Sequence, residues 1–408
     1  MKKNNMSHRS ELIKNIINFG SIDILGLIIP IVTMPILTRA LGPSQYGEYM
    51  LLLTIIYLGQ TIVDYGTQYT SVRFISQNRN VKERVDQIYQ DTQGLRVFLC
   101  LVYTLCVILY CIFVSIDTLF PYVVFMLLTY LLGYAFTPLW FYQGIGAVDK
   151  AIKVSLIIKA LNVIVIVFFI EKPDDFIIVI MSLCIPMLFG GVYLSFLASY
   201  KYKVGRPKFN NLCKSLHEGR DVFIGLLAPN FYNSIPTIAL GTIYPPAQFA
   251  NFAIATRLAS VIVVMQNVLA KAVYPIITRT SNDQVKTLML VNFFISIIPI
   301  LLVVCFGKEI LNILLGHDFS GVEKYLLALC LGVLFVGLTN SISQGYFLPH
   351  GYDRIYRNIS LRVSFFSGIL SIIIIYFYGL FGGAIAITVA RILFFIDYWL
   401  SYYICRRN

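Results

Sequence analysis

The sequence predicts an all-α polytopic membrane protein, and three observations favour this fold class. Of the 408 residues 58% are hydrophobic and only 13% are charged, whereas soluble domains average about 45–50% apolar and about 25% charged residues. The mean hydropathy is +0.77. The apolar residues form long unbroken runs rather than the residue-by-residue alternation of a membrane β-barrel. A soluble protein and a barrel are therefore both excluded.

Each membrane span requires about 20 predominantly apolar residues. Along the chain these runs predict twelve spans, near 17–38, 46–66, 96–115, 120–141, 152–171, 176–198, 222–243, 248–275, 287–307, 325–347, 358–378 and 380–403. The first run is too long for the apolar region of a signal peptide, so we expect it to remain in the membrane. Proline and glycine within it, at Gly26, Pro30 and Pro35, favour a helix that bends.

Basic residues alternate between the loops and predict the orientation. Of the 32 Lys and Arg residues, 23 fall on the side of the two termini, four on the opposite side and five inside spans. Because cytoplasmic loops carry the excess of Lys and Arg, both termini are expected in the cytoplasm. The net charge of +12 thus reflects topology, and nucleic-acid binding is not predicted. The longest external loop, near 308–324, is too short for the catalytic domain of an external polymerase or glycosyltransferase.

Two stretches recur in the two halves of the chain. Ala40-Leu41-Gly42 before Tyr46-Gly47 corresponds to Ala239-Leu240-Gly241 before Phe249-Ala250, and residues 141–159 correspond to residues 347–362. The pattern predicts a six-helix bundle at 1–198, a basic cytoplasmic linker at 199–221 and a second six-helix bundle at 222–408. An even number of spans per half predicts a pseudo-two-fold axis along the membrane normal, around a central cavity. Chance similarity between apolar segments is the alternative.

Motifs in the first half resemble a known family. These are Arg39-Ala40-Leu41-Gly42-Pro43 with Tyr46-Gly47, Asp64-Tyr65-Gly66 with Arg73, and Trp140-Phe141-Tyr142-Gln143-Gly144. They resemble the Wzx-type O-antigen flippases of the polysaccharide transporter family, in the superfamily that also contains multidrug exporters and lipid II flippases. The second half departs from the third motif with Leu348-Pro349-His350-Gly351, so equivalent functions of the two turns are not assumed.

The resemblance implies a function and partners. It implies translocation of undecaprenyl-pyrophosphate-linked oligosaccharide repeat units from the cytoplasmic to the periplasmic leaflet of the bacterial inner membrane. The implied partners are the lipid-linked oligosaccharide, membrane lipids, a polysaccharide polymerase and a chain-length regulator. Two alternatives stay open, which are a cation-coupled exporter of drugs or metabolites and, from another class, a membrane polymerase or glycosyltransferase.

Charged residues inside spans are the candidate site residues, because a charge at mid-bilayer costs about 2.5–3.5 kcal/mol and normally faces a cavity or a partner. The basic candidates for binding an anionic substrate are Arg257, Arg391, Lys159, Lys271 and Arg362. Arg257 and Arg391 lie near the midplane, whereas Lys271 and Arg362 are close enough to the cytoplasmic end to reach headgroups. Ion pairing between helices is the alternative for the deep pair. An excess of bases suits a pyrophosphate, and a drug exporter would favour acids.

Acidic and uncharged polar residues complete the candidate list. Asp23, Asp397 and Asp64 are candidates for coupling to H⁺ or Na⁺, with a salt bridge or a packing interface as the alternative. Asn230, Asn233, Asn340 and Gln344 lie in polar runs and either line the cavity or hydrogen-bond between helices. The sequence contains no nucleotide-binding loop and no catalytic constellation. The cysteines lie mostly in apolar runs and have almost no histidines beside them. We therefore expect neither an enzyme nor a cofactor or metal.

Overall fold

The structure is a computed structural model that describes residues 2–280, 285–316, 319 and 321–407, with side chains for 29, 31–269, 285–316, 319, 321–352 and 354–407. Within these residues the chain is helical and contains no strand. The helices in chain order are α1 Lys2–Asp64, α2 Thr67–Gln77, α3 Lys82–Val114, α4 Phe120–Met126, α5 Leu132–Phe136, α6 Leu139–Ile145, α7 Val148–Phe169, α8 Phe176–Tyr202, α9 Leu212–Leu227, α10 Ser234–Ile243, α11 Pro246–Thr280, α12 Val285–Leu315, α13 Val322–Ile342 and α14 Asp353–Arg407. Short π-helical turns at Leu127–Leu131 and Ser343–Phe347 connect α4 to α5 and extend α13.

Two of the helices are interrupted by a glycine with a positive φ. In α1 the interruption is Gly42 (φ 67°, ψ 176°), and in α14 it is Gly379 (φ 58°, ψ −135°). Glycine occupies these conformations without the steric cost that a Cβ would add. Both glycines fall at the predicted boundaries between two spans, so each long helix consists of two segments.

The fold class of a helical polytopic membrane protein is confirmed. In the described part of the chain, nine helical stretches are long and apolar enough to cross a membrane. Two of the nine, Ile31–Gln77 with 47 residues and Arg354–Arg407 with 54 residues, contain the interrupting glycines. The count of twelve spans and the pseudo-two-fold arrangement of two bundles remain predictions.

The described chain divides into two compact units. One unit is Met1–Gly47 together with Ala228–Asn408, and the other is Glu48–Leu227. This grouping differs from the predicted halves of the sequence because the first predicted span joins the second half of the chain. The predicted domain boundaries of 1–198 and 222–408 remain predictions.

Contacts near the end of the first span explain this grouping. Arg39 donates a hydrogen bond from Nη2 to the carbonyl oxygen of Ile313 over 2.7 Å. The rings of Tyr46 and Phe319 meet edge to face with their centroids 6.3 Å apart. Both contacts lie at the side of the membrane that the charge pattern assigned as external.

The basic linker between the halves is attached to α3. Asp86 Oδ1 accepts a hydrogen bond from the backbone N–H of Gly205 over 2.6 Å, and the backbone N–H of Lys208 donates to the carbonyl oxygen of Gln90 over 3.0 Å. Gly94 permits this approach, because a Cβ built there would lie 1.9 Å from the carbonyl oxygen of Lys208. The linker is therefore an ordered extension of the Glu48–Leu227 unit.

The two predicted repeat turns share one backbone conformation. Gly146 (φ 76°) ends α6 and Gly351 (φ 78°) follows the second π-helical turn. In both turns the N–H after the glycine donates to the carbonyl oxygen five residues earlier, from Ala147 to Tyr142 over 2.8 Å and from Tyr352 to Phe347 over 2.9 Å. This pairing is the Schellman motif that ends many helices.

Candidate functional site

Asp64, a predicted coupling residue, lies in a network of hydrogen bonds at the end of α1. Its Oδ1 is 2.5 Å from Nη1 of Arg96, and its Oδ2 accepts hydrogen bonds from the hydroxyl of Tyr134 over 2.5 Å and from Nε2 of Gln68 over 3.0 Å. The side chain of Asp64 is 17% exposed. It is thus paired with a base while one edge remains accessible.

Arg96 is a functional candidate that the sequence pattern missed. It stands at the cytoplasmic end of the predicted span 96–115 and was not among the candidate site residues, yet its side chain is only 2% exposed. Besides Asp64, its guanidinium donates to Thr67 Oγ1 over 3.2 Å and to the carbonyl oxygens of Tyr134 over 2.9 Å and Ala135 over 3.3 Å. The signal available in the sequence was the apolar run that follows Arg96 directly and makes it the first residue of a predicted span.

Arg362 and Asp397 form a second pair, within α14. Nη2 of Arg362 donates to Oδ1 of Asp397 over 2.5 Å, and Nε donates to Oδ2 over 3.0 Å. This is the bidentate geometry typical of strong arginine–carboxylate contacts. The side chain of Arg362 is 59% exposed and that of Asp397 is 17% exposed. This contact is the salt bridge that was the alternative to ion coupling for Asp397.

Arg391, on the second segment of α14, differs from the paired arginines. Its Nη1 is buried and has no hydrogen-bond partner among the described residues. Its Cδ packs near Gly332 of α13, where an added Cβ would lie 3.0 Å away, and the guanidinium interacts electrostatically with Tyr232. A buried donor without a partner costs about 1–3 kcal/mol or more when it is charged. Such a group is a candidate for binding a ligand.

The predicted seventh span is a discontinuous helix. It consists of α9, a 3₁₀ turn at Ala228–Phe231 and α10. Around this break Asn230 Oδ1 accepts a hydrogen bond from Ser234 Oγ over 2.6 Å, and the carbonyl oxygen of Asn233 accepts one from Thr237 Oγ1 over 2.6 Å. Tyr232, the residue that interacts with Arg391, belongs to the same break. Interrupted helices at membrane depth line binding sites in many transporters because they expose backbone polar groups.

A buried polar seam joins α11, α12 and α13. Asn340 donates to Asn267 over 2.9 Å, which is the hydrogen bonding between helices that was the alternative for Asn340. The sequence pattern missed Gln266 and Asn292. Gln266 donates a hydrogen bond to Ser296 over 2.7 Å, and Asn292 donates one to Ser341 over 2.9 Å. In a bilayer such contacts hold helices together. Single polar residues in an apolar run gave no sign of their partners.

The remaining candidates are placed as follows. Arg257 on α11 and Lys159 on α7 are partly buried, and both interact with other groups of the protein. Gln344 is partly buried in the π-helical turn Ser343–Phe347. The side chains of Asp23 and Lys271 lie outside the described residues. The structure thus brings Tyr232 of the helix break to Arg391, and it joins Asp64 to the unpredicted Arg96.

Two cavities in the Glu48–Leu227 unit are lined in part by polar side chains. One of about 220 Å³ is lined by Thr61, Asp64, Gly66, Gln68, Tyr69 and Leu226, so the accessible edge of Asp64 faces a space that holds several water molecules. A second of about 260 Å³ lies between α2, α3 and α9 and includes Arg84, Asp91, Lys214 and Glu218 in its lining. Its bases and acids balance, so it has no preference for an anion.

Comparison with solved structures identifies the fold. An inward-facing multidrug resistance MATE family transporter of the MOP superfamily superimposes with a TM-score of 0.71 at 14% identity, over 94% of this chain and 96% of that one. The lipid II flippase MurJ in an inward closed conformation superimposes with a TM-score of 0.70 at 15% identity, over 94% of this chain and 87% of that one. The chain therefore has the fold shared by these two proteins.

Sequence comparison identifies relatives and the family. A protein named for O-antigen transport from Shigella dysenteriae is 23% identical over 392 residues, covering 93% of this chain and 97% of the relative. A second protein so named, from Escherichia coli strain K12, is 22% identical over 381 residues, covering 91% of this chain and 90% of the relative. A family model described as polysaccharide biosynthesis protein matches residues 12–281, which is more than half of the chain. The resemblance seen in the motifs is confirmed at this level, and the chain belongs to the polysaccharide biosynthesis protein family.

Proposed function

We propose that this protein is a flippase that moves undecaprenyl-pyrophosphate-linked O-antigen or related polysaccharide repeat units from the cytoplasmic to the periplasmic leaflet of the inner membrane by alternating access. Family membership supports a role in polysaccharide biosynthesis, and relatives along more than nine tenths of the chain are named for O-antigen transport. The observation that carries the choice of cargo is the buried, unpartnered Nη1 of Arg391.

The charges inside the membrane favour an anionic cargo over an organic cation. Both acids with described side chains in the candidate set, Asp64 and Asp397, are already paired with arginines. Arg391 retains a donor that no protein group satisfies among the described residues. A pyrophosphate supplies oxygens for the planar fork of a guanidinium, and the contact is strong where water is excluded. A drug exporter of the same fold would instead require an accessible unpaired acid.

The proposed topology has twelve spans and cytoplasmic termini. Separating the segments of α1 at Gly42 and of α14 at Gly379 increases the count from nine to eleven, and the discontinuous helix of α9 and α10 is the twelfth span. Contacts between loops support the alternation of sides. Arg79 Nε donates to the carbonyl oxygen of Gly144 over 2.7 Å, so the first two long basic loops lie together.

Ion coupling is proposed to run through a carboxylate. Asp64 is the preferred group, because it combines a base partner with an accessible edge on a cavity of about 220 Å³. Its protonation would release the charge of Arg96 and favour a rearrangement of the carbonyl contacts around it. Asp397 is also paired with an arginine, Arg362, which is exposed, and Asp23 is the third candidate.

A polymerase or glycosyltransferase role is disfavoured by the external connections. The predicted loop at 308–324 is largely helical, since α12 continues to Leu315 and α13 begins at Val322. No room remains there for a catalytic domain.

The test of the function is gene deletion with separate measurement of synthesis and display. We expect the deletion strain to lose surface polysaccharide while lipid-linked repeat units accumulate and stay inaccessible to periplasmic ligase. Restoration by the wild-type gene but not by Arg391→Ala, at equal protein level, supports the assignment. Normal polysaccharide display in the deletion strain would refute it. Accumulation of unpolymerised repeat units on the periplasmic side would indicate a polymerase instead.

A further inference from the structure

A cavity unrelated to the charges described above lies between the beginning of α12 and the end of α14. Its volume is about 440 Å³. The lining consists of Val285, Lys286, Met289, Trp399, Tyr402, Tyr403, Arg406 and Arg407. Within α14, Arg406 is 15 residues from Arg391, which corresponds to about 22 Å along a helix axis. The cavity is therefore separate from the arginine that we assign to cargo.

The walls of this cavity are apolar and aromatic. Val285 is 1% exposed and Tyr402 is 6% exposed, which makes a packed floor, whereas Trp399 is 43% exposed and Tyr403 is 55% exposed at its edge. Met289 is partly buried beside them. Exposed Trp and Tyr side chains of membrane proteins concentrate at the level of lipid headgroups. The walls thus suit the part of an acyl chain that is nearest to the headgroup.

The charges of the cavity have a single sign. Lys286, Arg406 and Arg407 are exposed, and no acid is present among the described residues that line the cavity. Aromatic rings orient the two arginines, since Arg406 Nη1 donates to the hydroxyl of Tyr402 over 3.3 Å and the guanidinium of Arg407 lies 5.3 Å from the ring centroid of Tyr403. Three bases above an apolar wall match a phosphate attached to a hydrocarbon chain.

We infer that this cavity binds an anionic phospholipid of the adjoining leaflet, with the phosphate between Lys286, Arg406 and Arg407 and an acyl chain along the apolar wall. In the proposed topology both helix ends are cytoplasmic, where anionic headgroups attract basic side chains. The phospholipid is favoured over the polyprenyl carrier because the cavity lies at the C-terminal end of α14. Arg391, which we assign to the cargo and its carrier, lies elsewhere on that helix.

The test is native mass spectrometry of the full-length protein in a non-ionic detergent, titrated with dioleoylphosphatidylglycerol. The pocket variant is Lys286→Gln/Arg406→Gln/Arg407→Gln. The matched control is Lys201→Gln/Lys203→Gln/Arg206→Gln, which removes three exposed bases from the same predicted side. We expect phosphatidylglycerol to bind the wild type at least tenfold more tightly than phosphatidylcholine. The pocket variant should lose at least tenfold in that affinity, and the control should stay within twofold.

A second variant separates loss of binding from loss of folding. Met289→Trp fills the apolar wall without changing charge, and it should weaken phosphatidylglycerol binding while the protein elutes as the wild type does in size-exclusion chromatography. Equal losses in the pocket variant and the control would show nonspecific charge attraction and overturn the inference. The same holds if undecaprenyl phosphate binding is lost in the pocket variant while phosphatidylglycerol binding is unchanged. Arg391→Ala, which tests the transport function, should leave phosphatidylglycerol binding unaffected, so the two proposals fail independently.

Discussion

At the scale of single residues, arginines with different surroundings have different expected roles. Arg96 is buried and satisfied by a carboxylate and two carbonyl oxygens. Arg362 is exposed and paired. Arg391 has a buried nitrogen without a partner among the described groups. Substitutions that affect these three arginines should therefore differ in their effects on protein stability and on transport.

Arg391→Met should stabilise the protein while abolishing transport. The substitution removes an unsatisfied buried donor and keeps the apolar volume, so we expect an increase of about 1–3 kcal/mol in the free energy of unfolding. Thermal unfolding in detergent and surface polysaccharide of complemented cells are the two measurements. Arg354→Met, at an exposed position near the start of the same helix, is the matched control and should change neither. A destabilised Arg391→Met protein would mean that the guanidinium is a structural group.

Breaking the two ion pairs should have unequal consequences. Asp64→Ala leaves Arg96 buried without its counter-charge, which typically costs about 3–5 kcal/mol. Asp397→Ala leaves Arg362 free to reach water, and exposed pairs contribute about 0–1 kcal/mol. Thermal unfolding of the two variants in parallel checks the difference. Equal melting temperatures would show that the Asp64 network carries little stability.

At the scale of elements, glycines determine where segments of chain approach each other. Gly94 on α3 allows the carbonyl oxygen of Lys208 to come close, whereas a Cβ at Gly225 on α9 would meet nothing within 4 Å. Hydrogen bonds also hold the linker to α3, from the N–H of Gly205 to the Asp86 carboxylate and from the N–H of Lys208 to the carbonyl oxygen of Gln90. The second of these bonds lies at the close approach that Gly94 permits.

Gly94→Ala should detach the linker, because backbone atoms cannot yield to an added methyl group as a flexible side chain can. We expect faster tryptic cleavage after Lys203 and Lys208, by about tenfold in the initial rate, measured on inside-out vesicles. Gly225→Ala provides the control and should cleave at the rate of the wild type. Unchanged cleavage in Gly94→Ala would indicate that the linker is held elsewhere.

At the scale of the whole molecule, the fold class followed from composition, while the partners of the charges did not. Apolar runs near the expected length are a local signal, and the confirmed helices and the glycine between the segments of α1 follow from it. Pairings such as Arg96 with Asp64 join positions 32 apart in sequence. No periodicity or motif in a single sequence predicts a contact between residues so far apart along the chain. The break at Ala228–Phe231 was visible as a polar run, but its discontinuous backbone was not predicted.

The proposed topology makes a prediction for reagents that do not cross the membrane. In a cysteine-free background, a single cysteine restored at Cys213 of the linker should react with an impermeant maleimide only after permeabilisation. Asp174→Cys, in the turn between α7 and α8, should react in intact spheroplasts. Both positions are exposed, so the contrast reports on sidedness rather than burial. The opposite pattern would invert the topology.

The matching turns at Gly146 and Gly351 bear on how such a chain can arise. The residues that accept the N–H after each glycine are Tyr142 and Phe347, both fully buried, so the side chains differ while the backbone closes identically. If the two halves arose by tandem duplication of one ancestral half, most of the sequence identity between them has been lost, while the positive φ of the glycine in this turn has been retained. Searches for ancient duplications in membrane proteins would then gain sensitivity by matching positive-φ glycines at helix ends rather than residue identities.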